Sequence, residues 1–165
     1  MKSLADTSTG PANSWELCSN SAIRRASRRL GQLYADVLAP SGLRATQFGL
    51  LTQIRTLGEP TLRTLADALV MDLSALGHTL KPLIRDGLVT LAPDPQDRRA
   101  RRAHLTRKGL AAYARGVELW KEAQSRFDAQ FGKKESAALR RALDLIASDE
   151  FAAGFTVQKI AAPKK

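Results

Sequence analysis

The sequence has few of the residues from which enzymes build catalytic and metal sites. Its one cysteine, Cys18, excludes an internal disulfide framework. Its two histidines, His78 and His104, lie too far apart in sequence and are too few to suggest a metal site. A phosphate-binding Gly-Lys-Ser/Thr loop is missing, and no Ser/His/Asp signature is legible. We therefore expect neither an enzyme nor a protein that depends on a metal or cofactor.

Long apolar runs are missing as well. No segment approaches the roughly 20 apolar residues that a membrane span needs. The N-terminal stretch MKSLADTSTGPANS also lacks the apolar core of a signal peptide. We expect a cytoplasmic protein with no membrane partner.

Acidic residues are outnumbered by basic ones. The 165 residues include 26 Lys and Arg against 16 Asp and Glu, which gives a net charge of +10. Half of this excess lies in residues 41–109, which hold eleven basic and six acidic side chains. A chain that is 44% hydrophobic is typical of a globular protein, and its charge favours a polyanionic partner such as nucleic acid.

Apolar residues that recur at intervals of three and four divide most of the chain into helices. The predicted helices cover residues 14–38, 46–57, 61–69, 72–86, 106–131 and 134–147. Their expected N-caps are Ser14, Thr46, Thr61, Asp72 or Ser74, and Thr106. In the fourth helix we expect the core to receive Leu73, Leu76, Leu80, Leu83 and Ile84. No structure is assigned to residues 149–165.

Residues 88–109 carry the most informative pattern. Two short apolar runs, 88–92 and 103–105, flank a turn-rich tip, which predicts a β-hairpin. Four arginines crowd the end of that tip and would repel one another unless a polyanion met them: Arg98, Arg99, Arg101 and Arg102. Two short helices followed by a basic hairpin are the layout of a winged helix-turn-helix. The predicted fold class is therefore mainly α with a small β-hairpin wing.

The long helices at both ends carry more apolar surface than a central unit of about 70 residues can cover. We expect a second copy of the chain to cover it, since most oligomers are two-fold symmetric; the alternative is that these helices wrap their own domain. The predicted organisation is a flexible arm (1–13), a dimerisation helix (14–40), a winged helix-turn-helix (41–109), C-terminal dimerisation helices (110–148) and a tail (149–165).

The central part of the chain resembles the MarR family of bacterial transcriptional regulators. The matching stretches are GLRATQFGLL (42–51), LRTLADALVMDLSALGHTLKPLIRDGLV (62–89), DPQDRRA (94–100) and HLTRKG (104–109). The resemblance implies an obligate homodimer with interleaved terminal helices. It also implies a palindromic operator, usually a repressor role, and release by a small aromatic or amphipathic ligand.

In such a fold the N-terminal half of the helix at 72–86 enters the major groove. Its non-core positions are the candidate DNA contacts: Ser74, Ala75, Gly77, His78, Thr79, Lys81 and Arg85. Ser74 and Thr79 can exchange hydrogen bonds with bases, and Ala75 can touch a thymine methyl. A glycine at 77 lets the helix approach closely at a cost in helix stability. The alternative is an ordinary solvated helix face.

In the wing, Arg99 matches the family's arginine that enters the minor groove, where A/T-rich tracts concentrate negative potential. Asp97 matches the carboxylate that holds this arginine in place. For Arg98, Arg101 and Arg102 we expect contacts with phosphates or with the wing's own surface. Further backbone-contact candidates, each with a cap or surface role as the alternative, are Thr46, Gln47, Arg63 and Thr64.

Two features raise regulatory hypotheses. One branch of the family senses hydroperoxides through a first-helix cysteine near tyrosines, and Cys18 and Tyr34 lie in about that region. However, the spacing from Cys18 to Thr46 is longer than in that branch, and the aromatic residues expected after the cysteine are absent. A buried, inert cysteine is the commoner alternative.

The other feature is a basic ladder on the first helix, formed by Arg24, Arg25, Arg28 and Arg29. It is either a solvated face or a binding site for an anionic effector, with Trp15, Tyr113 and Trp120 as pocket or packing residues. A rival to specific regulation is a sequence-neutral architectural or RNA-binding protein, which net charge alone supports.

Overall fold

The computed structural model describes residues 17–157 and shows seven α-helices and two strands in that part of the chain. They are α1 (Ser19–Leu38), α2 (Ala45–Leu57), α3 (Leu62–Ala68), α4 (Leu73–Arg85), β1 (Val89–Pro93), β2 (Arg101–Leu105), α5 (Arg107–Phe131), α6 (Lys133–Ile146) and α7 (Asp149–Val157). A short 3₁₀ turn, Ala39–Ser41, follows α1. The element order confirms the predicted mainly helical fold with one hairpin.

Most helix boundaries follow from side chains that cap the first turn. The predicted caps Thr61, Asp72 and Thr106 are confirmed, since each accepts a hydrogen bond from the amide three residues further on. The prediction for Thr46 was wrong. Helix α2 begins one residue earlier, with Arg44 at the N-cap, and the Arg44 amide donates to Oε1 of Gln47 at 2.9 Å. Thr46 therefore lies inside the first turn and does not cap it.

The first helix also begins later than predicted. Leu17 and Cys18 precede the helix, and α1 starts at Ser19. Ser14, Trp15 and the predicted arm at 1–13 lie outside the described residues. At the other end, the unassigned tail contains α7, which ends at Val157.

Helices α2, α3 and α4 and the hairpin enclose one apolar core. Its most buried side chains include Leu51, Ile54, Leu65, Leu80 and Val89. In α4 the buried stripe is narrower than predicted: Leu76, Leu80 and Leu83 are buried, but Leu73 and Ile84, in the end turns, are exposed. Val70, with φ of 51°, makes the predicted turn between α3 and α4.

The two strands pair antiparallel, with Val89 opposite Leu105 and Pro93 opposite Arg101. β1 is shifted by one residue toward the tip relative to the predicted run 88–92, and β2 extends two residues further toward the tip than the predicted run 103–105. The outer edge of β2 is not free, because the Ala103 amide donates to the Pro60 carbonyl at 2.9 Å. The segment between α2 and α3 therefore holds the hairpin from the side.

Helix α5 is the long element against which α1, α2 and α6 pack. Its buried positions are small residues, Gly109, Ala112, Gly116 and Ala123, which allow the close approach of neighbouring helices. Large apolar side chains remain exposed on the terminal helices, among them Leu33, Trp120, Leu145, Phe151 and Phe155. None of the helices in residues 17–157 combines the length and the apolar character that a membrane crossing requires.

Candidate DNA interface

The outer face of α4 is polar and open. Ser74, His78, Lys81 and Arg85 are exposed at spacings of four, three and four residues, which places them in one stripe along the helix. Because Asp72 caps the helix and Leu76 and Leu80 are buried in the core, this stripe points away from the protein.

The other predicted α4 positions border that stripe and are half-buried: Ala75, Gly77 and Thr79. The Thr79 hydroxyl donates to the Ala75 carbonyl at 3.0 Å. A Cβ atom at Gly77 would meet nothing within 4 Å, so packing inside the chain does not require a glycine there. Arg85 is engaged locally, and its hydrogen bond to Asp86 lowers the pKa of that carboxyl.

Asp94 organises the wing tip. Its carboxylate is buried and accepts hydrogen bonds from the amides of Gln96 at 2.7 Å and Asp97 at 3.4 Å. The hydrogen bond from Gln96, together with the guanidinium of Arg102, lowers the pKa of Asp94. The backbone amide of Asp94 donates to the Ala100 carbonyl at 3.0 Å, so Asp94 holds the tip through both its main chain and its side chain.

Asp97 contacts Arg99 differently from the prediction. Its Oδ1 accepts a hydrogen bond from the backbone amide of Arg99 at 2.9 Å, and the salt bridges of the described residues do not include one between Asp97 and the Arg99 guanidinium. The carboxylate fixes the backbone that carries the arginine and leaves the arginine side chain free to reach outward.

The four wing arginines separate into two groups. Arg98, Arg99 and Arg101 are exposed, and within residues 17–157 no carboxylate lies at salt-bridge distance from them. Arg102 is half-buried and bound inside the protein, to Asp94 and to the Glu59 carbonyl. Of the two roles expected for Arg102, the structure therefore places it on the wing's own surface.

The backbone-contact candidates lie at two helix starts. Thr46 is exposed in the first turn of α2, whereas the Oε1 atom of Gln47 is used in the cap. Arg63 and Thr64 are exposed at the start of α3, where the Thr64 hydroxyl is 2.9 Å from that of Thr61. Of these four, Thr46 and Arg63 have exposed side chains without a recorded hydrogen bond among the described residues.

Cys18 is half-buried at the N-cap of α1, and hydrogen bonding with Ser21 lowers the pKa of its thiol. Tyr34 follows sixteen residues later on the same helix, which is about 24 Å along its axis. Its hydroxyl donates to Gln124 Oε1 at 3.1 Å, and burial raises the pKa of Tyr34. The two residues do not meet within one chain, and redox sensing stays a prediction.

Two of the clefts that Tyr34 lines differ in their walls. One, of about 490 Å³, separates α1, α2 and α5 and is lined by Phe48, Tyr113 and Trp120. The other, of about 800 Å³, lies between α1, α5 and α6 and reaches Thr46 at the start of α2. Arg24, Arg25 and Arg28 are exposed and line neither cleft. The structure therefore does not place these arginines where they could bind an anion inside either cleft. The cation in the larger cleft is Arg140, which the sequence reasoning missed because it lies on a helix read only as a dimerisation element.

The structure therefore defines a winged helix-turn-helix, the class of DNA-binding protein in which α3, α4 and the β1–β2 wing form the reading unit. Residues 43–100 match the model of the MarR family. The multiple antibiotic resistance protein MarR of Salmonella typhimurium is 34% identical over 89 residues, which cover 54% of this chain and 62% of that protein.

Solved structures extend the similarity to nearly the whole described chain. The transcriptional regulator MosR of M. tuberculosis, in complex with DNA, is 34% identical with a TM-score of 0.73, covering 82% of this chain and 98% of MosR. A mutant MarR of E. coli, in complex with operator DNA, is 26% identical with a TM-score of 0.70, covering 77% and 91%. The chain belongs to the MarR family of DNA-binding transcriptional regulators, and the expectation that it is not an enzyme is confirmed.

Proposed function

We propose that this protein is a homodimeric repressor that binds a palindromic operator through α4 and the wing. The observation that carries the proposal is a group of exposed arginines in the wing, Arg98, Arg99 and Arg101, beside the polar outer face of α4. Within residues 17–157 these arginines have no salt-bridge partner. A relative that is 34% identical has been solved in complex with DNA, which supports the same partner here.

In this proposal α4 lies in the major groove and its exposed stripe reads base edges. Ser74 and His78 contact bases, whereas Lys81 and Arg85 contact phosphates. The wing lies over the adjacent minor groove, where Arg99 inserts. Thr46 and Arg63, exposed in the first turns of α2 and α3, bind the sugar-phosphate backbone.

The dimer is supported by the apolar side chains that the terminal helices leave exposed, including Leu33 on α1 and Leu145 on α6. A two-fold axis between two copies places two α4 helices one turn of DNA apart, so half-sites are centred about 10 base pairs apart. Sedimentation equilibrium should give twice the chain mass of 18.0 kDa. Leu33→Glu should shift the protein to monomer, whereas Gln32→Glu, on the same helix, should not; a wild-type monomer at micromolar concentration would contradict the dimer.

Release by a small amphipathic molecule is supported by the cleft between α1, α2 and α5. Its walls combine the aromatic residues Phe48, Tyr113 and Trp120 with the hydroxyl of Tyr34. One wall is α2, which packs against α3 and β2 of the DNA-reading unit, so an occupant that moves α2 away from α1 and α5 also changes the position of the reading unit.

The experiment that tests this function is selection of duplexes from random sequence with the purified protein. Fluorescence anisotropy then compares the selected duplex with a scrambled one at two salt concentrations. A preference of about 10³-fold or more is expected for a specific regulator. Equal, steeply salt-dependent binding to both duplexes would overturn the proposal in favour of an architectural protein.

A further inference from the structure

At the base of the wing, one guanidinium joins two separate parts of the chain. Arg102, in β2, donates from Nε to Asp94 Oδ2 at 2.9 Å and from Nη1 to the Glu59 carbonyl at 3.0 Å. Asp94 begins the wing tip, and Glu59 lies in the turn between α2 and α3. The side chain of Arg102 thus links the tip of the wing to the helical body of the DNA-reading unit.

Both ends of this link are themselves held in place. Asp94 is buried, and its other carboxylate oxygen accepts hydrogen bonds from the amides of Gln96 and Asp97. Glu59 has φ of 61°, a left-handed conformation that is strained for a residue with a side chain. Its carboxylate lies 3.2 Å from Nδ1 of His104 in β2, so the Glu59 turn is attached to the same strand that carries Arg102.

We propose that Asp94 and Arg102 are positioning residues that set the angle at which the wing presents Arg99 to DNA, and that neither touches DNA itself. This rests on the proposed function, in which Arg99 enters the minor groove. Arg102 therefore has a different role from Arg98, Arg99 and Arg101, which are exposed on the wing that Arg102 holds in place.

Electrostatics and positioning make opposite predictions for Asp94. Removing a negative charge from a DNA-binding surface strengthens binding if charge alone matters. An amide at position 94 cannot accept on both sides, because one of its ends must turn an NH₂ group toward Arg102 or toward the two tip amides. Positioning therefore predicts that Asp94→Asn weakens binding.

Arg102→Lys distinguishes a contact between Arg102 and a DNA phosphate from a positioning role inside the protein. Lysine keeps the positive charge, so it largely preserves a contact with phosphate. It cannot replace the fixed fork that donates to Asp94 and Glu59 at once. If Arg102 is a positioning residue, lysine does not rescue its function.

The experiment measures operator affinity by anisotropy for wild type and for the single variants Asp94→Asn, Arg102→Lys and Arg99→Ala. It also includes two double variants, which combine Asp94→Asn or Arg102→Lys with Arg99→Ala. We expect Asp94→Asn and Arg102→Lys each to weaken binding about tenfold. In the Arg99→Ala background each should cost less than about twofold, because there is no longer a side chain to position. Glu118→Gln, which removes an exposed negative charge on α5, is the matched control and should not weaken binding.

Amide hydrogen exchange of the DNA-free protein gives a second readout. In both Asp94→Asn and Arg102→Lys, exchange should accelerate in residues 94–101 and stay unchanged in α2 and α4. Unchanged exchange in these two helices also shows that the variants are folded. Any of four results would overturn the proposal. They are unchanged exchange at the wing tip, wild-type or tighter binding by Asp94→Asn, wild-type binding by Arg102→Lys, and additive losses of affinity in the double variants. If Arg99→Ala binds like wild type, the Arg99 contact of the proposed function fails and the positioning role fails with it. If Arg99→Ala binds weakly while Asp94→Asn and Arg102→Lys bind like wild type, the Arg99 contact stands and only the positioning role fails.

Discussion

Gly109 lies against the carbonyl oxygen of Leu88 so closely that a Cβ atom on the glycine would overlap with it. Gly109 is in the first turn of α5, and Leu88 connects α4 to β1. The same carbonyl accepts a hydrogen bond from the Thr106 amide at 3.0 Å, and the Thr106 hydroxyl donates to the Gly87 carbonyl at 2.6 Å. The connection between α4 and β1 and the start of α5 are thus in direct backbone contact.

Gly109→Ala should lower the free energy of unfolding by about 1–3 kcal/mol, because the overlapping atom belongs to the backbone and can yield only if α5 shifts. Urea denaturation of the folded protein measures the change. Gly49→Ala is the matched control: it is also a helical glycine, but its Cβ would meet nothing within 4 Å, so it should gain roughly 0.5–1 kcal/mol. A similar gain for Gly109→Ala would contradict the close contact.

Gly77→Ala should separate stability from DNA binding. The substitution adds a methyl group in open space on α4, and should raise the free energy of unfolding by roughly 0.5–1 kcal/mol. If α4 approaches base edges at this position, operator affinity should fall at the same time. Urea denaturation and anisotropy on the same preparation give both numbers, and unchanged or tighter binding would show that residue 77 does not approach the DNA.

Arg99→Ala should cost about 1–3 kcal/mol of operator binding. The loss should be larger for operators with A/T-rich flanks than for those with G/C-rich flanks, because narrow minor grooves attract arginine more strongly. Arg115→Ala, at an exposed position on α5, controls for the loss of one positive charge. Equal losses in the two variants would mean that Arg99 contributes charge and not an inserted contact.

Because of Asp94, the free energy of unfolding should depend on pH in the acidic range. Its pKa is lowered in the folded state, first by the hydrogen bond from the Gln96 amide, so its stabilising effect is present above the unfolded pKa of about 3.9 and is lost as the pH falls through the folded pKa. The difference in unfolding free energy between wild type and Asp94→Asn should therefore be largest above about pH 5 and narrow below pH 4. Denaturation at pH 7, 5, 4 and 3 measures it, and a difference independent of pH would contradict the ionised, hydrogen-bonded carboxylate.

The elements of the fold were largely predictable because their signals are local. Thr61, Asp72 and Thr106 each cap a helix through an amide three residues away, and such a contact depends only on neighbouring sequence. The wing arginines and the outer face of α4 were predictable for the same reason, since alternation in a strand and the period of a helix decide which side chains point outward.

Contacts between distant segments were not predictable. Arg102 looks like its neighbours in sequence, and its contacts with Asp94 and with Glu59, 43 residues earlier, distinguish it. Arg140 could not be assigned to a cleft before α6 was packed beside α1.

The sequence alone thus determined the class of fold, the basic wing and the surface of α4 that faces outward, because periodicity, caps and charge are carried by residues close together in the chain. The tertiary structure alone decided which arginine is held inside the protein, which side chains line the clefts, and how closely the start of α5 approaches the connection between α4 and β1. Those features depend on hydrogen bonds and steric contacts between residues far apart in sequence, and no local pattern specifies such pairs.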